Sequence, residues 1–139
     1  MAYNYPKIAQ NADRTFGPTS QGNYYLPASY HNRTAAHRAE KGKWCLKKNE
    51  QYEVFRLADD NHWENLNPDG LFSVVDNGKE IFGLLGERIA YFPKTRNAND
   101  PKHGYPVCTP QISDALIEKW HRTNVIDDIF YKRLLRGAI

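Results

Sequence analysis

Residues 93–106 bring together side chains that could bind an anion or move a proton. The charged and ring-bearing members of this segment are Lys94, Arg96, Lys102, His103 and Tyr105. Lysine and arginine bind phosphate and carboxylate groups, a tyrosine ring can stack on a base, and histidine titrates near neutral pH. The segment therefore predicts a surface that contacts a nucleic acid or an acidic protein.

The prolines of this segment predict a loop of fixed shape. Four prolines lie between positions 93 and 110, in a long connection that precedes the closing helices. Because proline restricts the unfolded chain, such a loop can keep one conformation without regular secondary structure. Long loops in compact chains are often functional. The competing interpretation is structural: Asn97 and Asp100 cap turns, while His103 and Tyr105 pack against the sheet.

A basic run precedes this loop in the chain and is expected to lie near it. Between residues 33 and 48 the charges are almost all positive, and Arg38 and Lys41 are predicted to contribute to binding. The sign reverses between residues 50 and 80, which hold eight acids. Such polarity can orient a protein toward a charged partner, although the two blocks could also face each other.

Two further functions fit the same residues. A metal-independent ribonuclease of the toxin type needs a general acid or base and a cation that holds phosphate. His103 would move the proton together with Glu64 or His62, and Arg96 would hold the phosphate. Alternatively, the acidic block of residues 50–80 could mimic phosphate and inhibit a nucleic-acid enzyme.

Sequence motifs for metals, cofactors and nucleophiles are missing. None of the five histidines pairs with another histidine or with a cysteine at metal-ligand spacing, and no CxxC, HExxH or calcium-loop pattern occurs. A serine nucleophile elbow and a glycine-rich phosphate loop are also absent. We therefore predict neither a metal nor a cofactor. Cys45 and Cys108 are predicted to be reduced and packed in the core.

The chain has the size of one domain. It has 139 residues, a net charge of +3 and no apolar run long enough to cross a bilayer. Its first residues lack the pattern of a signal peptide, so we expect a cytoplasmic protein without a membrane partner. Residues 1–31 are rich in aromatic side chains and predict an extended arm packed on the domain, and residues 32–139 predict a single domain.

Local signals predict an α+β fold, in which a four- to five-stranded antiparallel meander carries a C-terminal helix pair on one face. The predicted strands cover residues 44–46, 52–57, 71–75, 80–85 and 88–92. Asn77-Gly78 predicts a tight hairpin between the third and the fourth of these strands. A short helix is expected over residues 33–41, and two helices are expected after Thr109 and after Asn124.

These patterns show no resemblance to a known family. They favour a non-enzymatic binding or regulatory protein, of the kind found in bacterial or phage accessory systems, whose 93–106 loop contacts a partner. This interpretation depends on the loop facing outward as a stiff surface.

Overall fold

The computed structural model describes residues 2–27, 42–108 and 110–137. The predicted helix over residues 33–41, with its candidate contacts Arg38 and Lys41, lies outside the described residues. The predicted end of the arm at residue 31 also lies outside them. These expectations therefore stay predictions.

Seven elements of regular structure follow one another along the described ranges. They are α1 (Lys48–Asp60), β1 (Glu64–Leu66), β2 (Asp69–Ser73), β3 (Ile89–Pro93), β4 (Tyr105–Val107), α2 (Asp114–Arg122) and α3 (Asp128–Leu135). The strands form one sheet in the order β1-β2-β3-β4, and every neighbouring pair is antiparallel. The predicted α+β class, the four-stranded meander and the C-terminal helix pair are confirmed.

Alternate residues of the strands face two separate layers of the core. Along β3, Ile89 and Tyr91 pack with residues of α2 and α3, whereas Ala90 and Phe92 pack with residues of α1 and of the N-terminal segment. Successive side chains of a strand point to opposite faces, so the sheet lies between these two layers. Burial of this apolar surface is the main favourable contribution to the stability of the fold.

The predicted strand over residues 52–57 is wrong, because this segment is the middle of α1. Short apolar runs do not distinguish a strand from a buried helix. The buried side of α1 includes Gln51, Tyr52, Phe55, Ala58 and Asp59. Two of these five residues are polar, so the apolar residues alone do not reveal the helical period.

The predicted strand over residues 80–85 is also wrong. Residues 76–78 do turn the chain, but their φ angles of 54°, 57° and 72° are all left-handed. A two-residue hairpin requires only two such residues, and the third directs the chain away from β2. Within 80–85 the pairing reduces to an isolated bridge between Gly83 and Trp44, and the predicted strand over 44–46 reduces to the same bridge.

The last third of the chain contains an additional strand and later helix starts than predicted. β4 lies within the segment predicted as loop, and its Pro106 is tolerated because β4 is an edge strand. α2 begins after Ser113 and α3 after Asp127, instead of after Thr109 and Asn124. The side chains of Ser113 and Asp127 accept a hydrogen bond from the backbone N–H three residues later, which defines each N-cap.

Both cysteines are exposed, so the prediction that they pack in the core is wrong. Cys45 follows Trp44 and Cys108 follows Val107, and each of these neighbours is buried. Because successive side chains of an extended chain point to opposite sides, burial of the neighbour turns each cysteine outward.

The helices of the described ranges are short. α1, with 13 residues, is the longest helix in the described ranges. None of the helices in this part of the chain combines the length and the apolarity that a bilayer crossing requires.

Candidate functional site

The predicted binding segment contains a loop between β3 and β4, residues 94–104, which we call the platform loop. Its exposed residues are Lys94, Arg96, Asn97, Ala98, Asn99 and Pro101. His103, near the end of the loop, and Tyr105, at the start of β4, are half-buried, and Tyr105 meets Tyr91 edge-on with 5.9 Å between ring centroids. The loop therefore presents its central residues to solvent and its C-terminal end to the sheet.

Residues distant in sequence anchor the C-terminal end of the platform loop. The backbone N–H of Lys102 donates to the carbonyl of Tyr24 at 2.7 Å, and the carbonyl of Lys102 accepts from the N–H of Leu26 at 2.8 Å. The indole N–H of Trp44, a buried side chain, donates to the carbonyl of Gly104 at 2.9 Å. These three bonds attach the loop to the N-terminal segment and to the core.

Hydrogen bonds within the platform loop fix its shape. The ammonium group of Lys102 donates to Oγ1 of Thr95 at 2.8 Å and to the carbonyl of Ala98 at 3.2 Å. The backbone N–H of Asp100 donates to the carbonyl of Asn97 at 3.1 Å, and the Asp100 carboxylate accepts from the N–H of Asn97 at 3.3 Å. The ammonium group of Lys102 is thus hydrogen-bonded within the loop, where it links Thr95 to Ala98.

Gly104 allows the loop to approach the sheet closely. A Cβ atom at this position would lie 2.2 Å from Cδ1 of Phe92 and 2.5 Å from the carbonyl oxygen of Tyr91. No side chain fits in that space, so the residue type at position 104 is set by packing.

A solvent-open cleft of about 260 Å³ lies beside the platform loop, at the end of the sheet where β2 begins and β3 ends. Its lining residues are Phe55, Asp59, Glu64, Asp69, Gly70, Leu71, Phe92, Pro93, Lys94 and Lys102. Three predicted site residues, Glu64, Lys94 and Lys102, therefore share one concave surface. Arg96 and His103 lie outside this lining.

The rim of the cleft carries both signs of charge. Nζ of Lys94 lies 3.6 Å from the carboxylate of Asp69, and both side chains are exposed. The carboxylate of Glu64 lies 3.4 Å from Nδ1 of His62. With Asp59, three carboxylates and two lysines surround an apolar floor. Such a rim suits a partner that carries both charges better than it suits a polyanion.

Asp59 and Asp69 are cleft residues that the sequence indicates only as members of the acidic 50–80 block. Asp59 is buried, and its carboxylate accepts from Oγ1 of Thr19 at 2.6 Å and from Nδ2 of Asn23 at 3.0 Å. It therefore ties the N-terminal segment to α1. The sequence places Asp69 in this acidic block and after Pro68 in a predicted turn, and neither feature indicates that it lies beside the platform loop.

Several acids of the 50–80 block form hydrogen bonds and ion pairs with other residues of the protein. Glu53 is buried and accepts from Nε and Nη2 of Arg56 at 2.7 and 2.8 Å and from the hydroxyl of Tyr3. Burial and then this carboxylate raise the pKa of Tyr3 to about 12. Burial acts to raise the pKa of Asp60, but hydrogen bonds from Ser20 and Arg56 outweigh it and lower that pKa. These acids stabilise the fold instead of forming an exposed row of charge.

The predicted ribonuclease residues are not gathered in the lining of the cleft. Glu64 lines the cleft, whereas Arg96 is exposed on the platform loop and His103 is half-buried near the end of that loop. Across residues 2–27, 42–108 and 110–137, no group of three His, Cys, Asp or Glu side chains converges as a metal site would. The cleft thus contains one of the three predicted catalytic residues, Glu64.

The chain was compared with known proteins in three ways. No protein-family model matches it, and no curated protein or solved structure does.

Proposed function

We propose that this chain is a non-enzymatic binding protein that contacts another protein through the platform loop and the adjoining cleft. The observation that carries the proposal is the construction of the loop. Hydrogen bonds join Thr95, Ala98 and Lys102, while Arg96 and Asn97 at the tip stay exposed. A loop that is already fixed in one conformation loses little entropy when it binds, so more of its contact energy becomes affinity.

The charges around the cleft favour a protein partner over a nucleic acid. A nucleic acid laid along the loop would bring phosphates close to the exposed carboxylates of Glu64 and Asp69. Within the described residues, the ammonium group of Lys102 is hydrogen-bonded inside the loop and that of Lys94 lies 3.6 Å from the carboxylate of Asp69. Arg96 is therefore the main residue with which the loop could bind phosphate. Phosphate contacts supply most of the affinity of non-specific nucleic-acid binding, and one arginine is a weak basis for it. A protein can match both signs and also cover the apolar floor.

The proposed setting is the cytoplasm, and the proposed role is regulatory. Cys45 and Cys108 are both exposed. A reducing compartment keeps exposed thiols from oxidising, which suits this pair. A protein that binds its partner without catalysing a reaction acts by covering a surface of that partner or by positioning it.

A photo-crosslinking amino acid at Asn97, on the tip of the platform loop, tests the proposal in cells that naturally make the protein. We expect a discrete adduct with one protein, which survives treatment with RNase and DNase. The same label at Lys48, an exposed position on α1, is the control and should not give this adduct. Arg96→Glu should reduce the apparent affinity about tenfold, because it reverses an exposed charge at the contact.

Other outcomes would point to the other functions. An adduct that disappears after RNase or DNase treatment would identify a nucleic acid as the partner, and the lack of any adduct at Asn97 would contradict the proposal. Growth arrest on expression, relieved by His103→Ala, would support the ribonuclease. Partner binding that is lost when the acids of residues 50–80 are neutralised, but not in Arg96→Glu, would support the inhibitor.

A further inference from the structure

We infer that the opposite end of the sheet is a second docking surface, which takes an acidic amphipathic segment of a partner protein. This end lies where β3 begins and β4 ends. Two hollows of about 310 and 340 Å³ meet there and share Arg88 and Arg133 in their linings. The basic-apolar face, as we call this surface, comprises Lys79, Leu85, Arg88, Ile129, Lys132 and Arg133.

Large apolar side chains of this face are exposed to solvent. Ile129 is 72% exposed and Leu85 is 69% exposed. Ile129 lines one of the two hollows and Leu85 lines the other, so they flank the shared Arg88. Leu84 and Cys108, which adjoin them, are exposed as well. Exposed apolar side chains that lie close together and are rimmed by charge are typical of interaction surfaces.

α3 presents a row of cations to solvent. The inner side of this helix is formed by the buried side chains of Phe130 and Leu134. The exposed outer side contains Ile129, Lys132 and Arg133, and the exposed Arg136 follows as the C-cap of the helix. These four residues have the spacing i, i+3, i+4 and i+7, which places them in one stripe along a helix. An elongated partner lying along the helix would therefore meet one apolar side chain followed by three positive charges.

The turn after β2 holds another cation of the face in place. Nη1 of Arg88 donates to the carbonyls of Gly78 and Lys79 at 3.1 and 2.8 Å. Gly78 in turn packs against Phe130 of α3, since a Cβ there would lie 2.1 Å from Cε2 of that ring. The guanidinium group is therefore positioned before any partner arrives, and Lys79 is exposed beside it.

Among the described residues, the linings of the two hollows contain two acids, Asp127 and Glu87, and both accept hydrogen bonds. The carboxylate of Asp127 accepts from the N–H of Phe130 and from Nδ2 of Asn77, each at 2.9 Å. Glu87 is 6% exposed and accepts from the N–H of Leu85 at 2.9 Å. Lys79, Arg88 and Arg133 line the same hollows, so cations outnumber the one exposed acid of these linings, Asp127.

Charge and apolar exposure together identify the occupant. The cations on or beside the face are Lys79, Arg88, Lys132, Arg133 and Arg136. An acidic segment complements these cations, and an amphipathic one also covers Ile129 and Leu85. A nucleic acid would match the cations but would leave the two aliphatic side chains uncovered, so the observations favour a protein segment.

Selection from a random peptide library displayed on phage tests this inference, and synthetic peptides of the enriched sequences serve as probes. We expect these sequences to be acidic, with apolar residues three or four positions apart, and to bind more weakly as salt increases. Ile129→Glu should weaken peptide binding at least about tenfold. The double variant Lys132→Glu, Arg133→Glu should have a similar effect, because it reverses the charge of the helix.

Charge reversals elsewhere in the chain are the controls. Arg96→Glu on the platform loop and Lys48→Glu on α1 should leave peptide affinity unchanged, and circular dichroism checks that each variant is folded. A glutamate at position 129 lies in the first turn of α3, where acids are favourable. If Ile129→Glu nevertheless unfolds the chain, Ile129→Ser replaces it.

Three results would overturn the inference. These are no enrichment of acidic peptides, peptide affinity that survives both face variants, and tighter binding of an RNA oligonucleotide or of anionic vesicles than of the selected peptide. The face variants and Arg96→Glu are measured separately, so failure here is distinguishable from failure of the platform-loop proposal.

Discussion

The end of the sheet that carries the platform loop differs from the opposite end in what holds its exposed residues in place. The platform loop is fixed by hydrogen bonds to residues far away in the chain, including Tyr24 and Trp44. The basic-apolar face stands instead on a regular helix and a turn: α3 begins at the Asp127 cap and satisfies its own backbone, and two hydrogen bonds between Asn77 and Asp127 join it to the turn. β2 and β3 have five residues each, so roughly 17 Å of sheet separates the two ends.

This contrast shows two ways in which a small domain can preorganise a contact surface. A loop without secondary structure needs partners from elsewhere in the fold, and any change in those partners should loosen it. A helix satisfies its own backbone, so its outer side chains can differ freely in type without loss of shape. Perturbations at the two ends should therefore have different consequences for stability and for local order.

The largest expected difference between the two ends of the sheet is the loss of stability caused by Gly104→Ala in the platform loop. The new methyl group would overlap the Phe92 ring and the Tyr91 carbonyl, and neither can move without disturbing β3. We expect the free energy of unfolding to fall by about 3 kcal/mol in a urea titration. Gly86→Ala, at the opposite end, is the control: nothing lies within 4 Å of its added Cβ, and its φ of +84° accounts for about 1 kcal/mol of strain. Equal losses in the two variants would contradict the account.

Lys102→Met should loosen the platform loop with a smaller cost in global stability. The substitution keeps the length of the side chain but removes the ammonium group that bonds Thr95 and Ala98. Amide hydrogen exchange at Asn97 and Asp100 should accelerate about tenfold, and global stability should fall by about 1 kcal/mol. Lys132→Met on α3 is the matched control and should change neither quantity. Unchanged exchange in Lys102→Met would mean that this lysine does not hold the loop.

The smallest expected effect is the change in melting temperature at acid pH that comes from the Asp127 cap of α3. The backbone N–H of Phe130 and then the side chain of Asn77 lower the pKa of Asp127 below its ordinary 3.8. A carboxyl with a lowered pKa in the folded state stabilises the protein above its unfolded-state pKa, and this contribution is lost as the pH falls through the folded-state value. The melting temperature should therefore fall below about pH 4, and Asp127→Asn should flatten part of that fall while retaining a cap.

Asp76→Asn provides the control for this titration, because it also removes an exposed carboxylate but leaves the α3 cap intact. Its melting temperature should follow the pH dependence of the wild type. A profile for Asp127→Asn that also matches the wild type would show that the cap does not contribute to the acid response.

The parts of the fold that sequence analysis predicted correctly are those with a largely apolar run beside a turn signal, or with apolar residues at helical spacing. β2, β3 and the C-terminal helix pair show such patterns, and all are present. α1 was misread because its buried side includes Gln51 and Asp59, whose burial depends on partners from the N-terminal segment. Such partners are set by tertiary contacts, which a local pattern does not contain.

The candidate site was predictable only in part for the same reason. The composition of the 93–106 segment pointed to the platform loop, and Glu64, Lys94 and Lys102 do line one cleft. The sequence could not show that Lys102 bonds its own loop or that Asp69 lies beside Lys94. The contact between Asp69 and Lys94 arises from how β2 and β3 align at their ends, which is a long-range property of the sheet. The Lys102 bonds depend on the folded conformation of the loop, which its composition does not specify.

The rigidity of the platform loop is the central claim, and backbone ¹⁵N relaxation measures it directly. For the non-proline residues from 95 to 103 we expect order parameters near about 0.85, equal to those of β3, because the loop is bonded internally and to the core. Values below about 0.6 at these residues, with β3 remaining rigid, would show a flexible loop and would contradict the account.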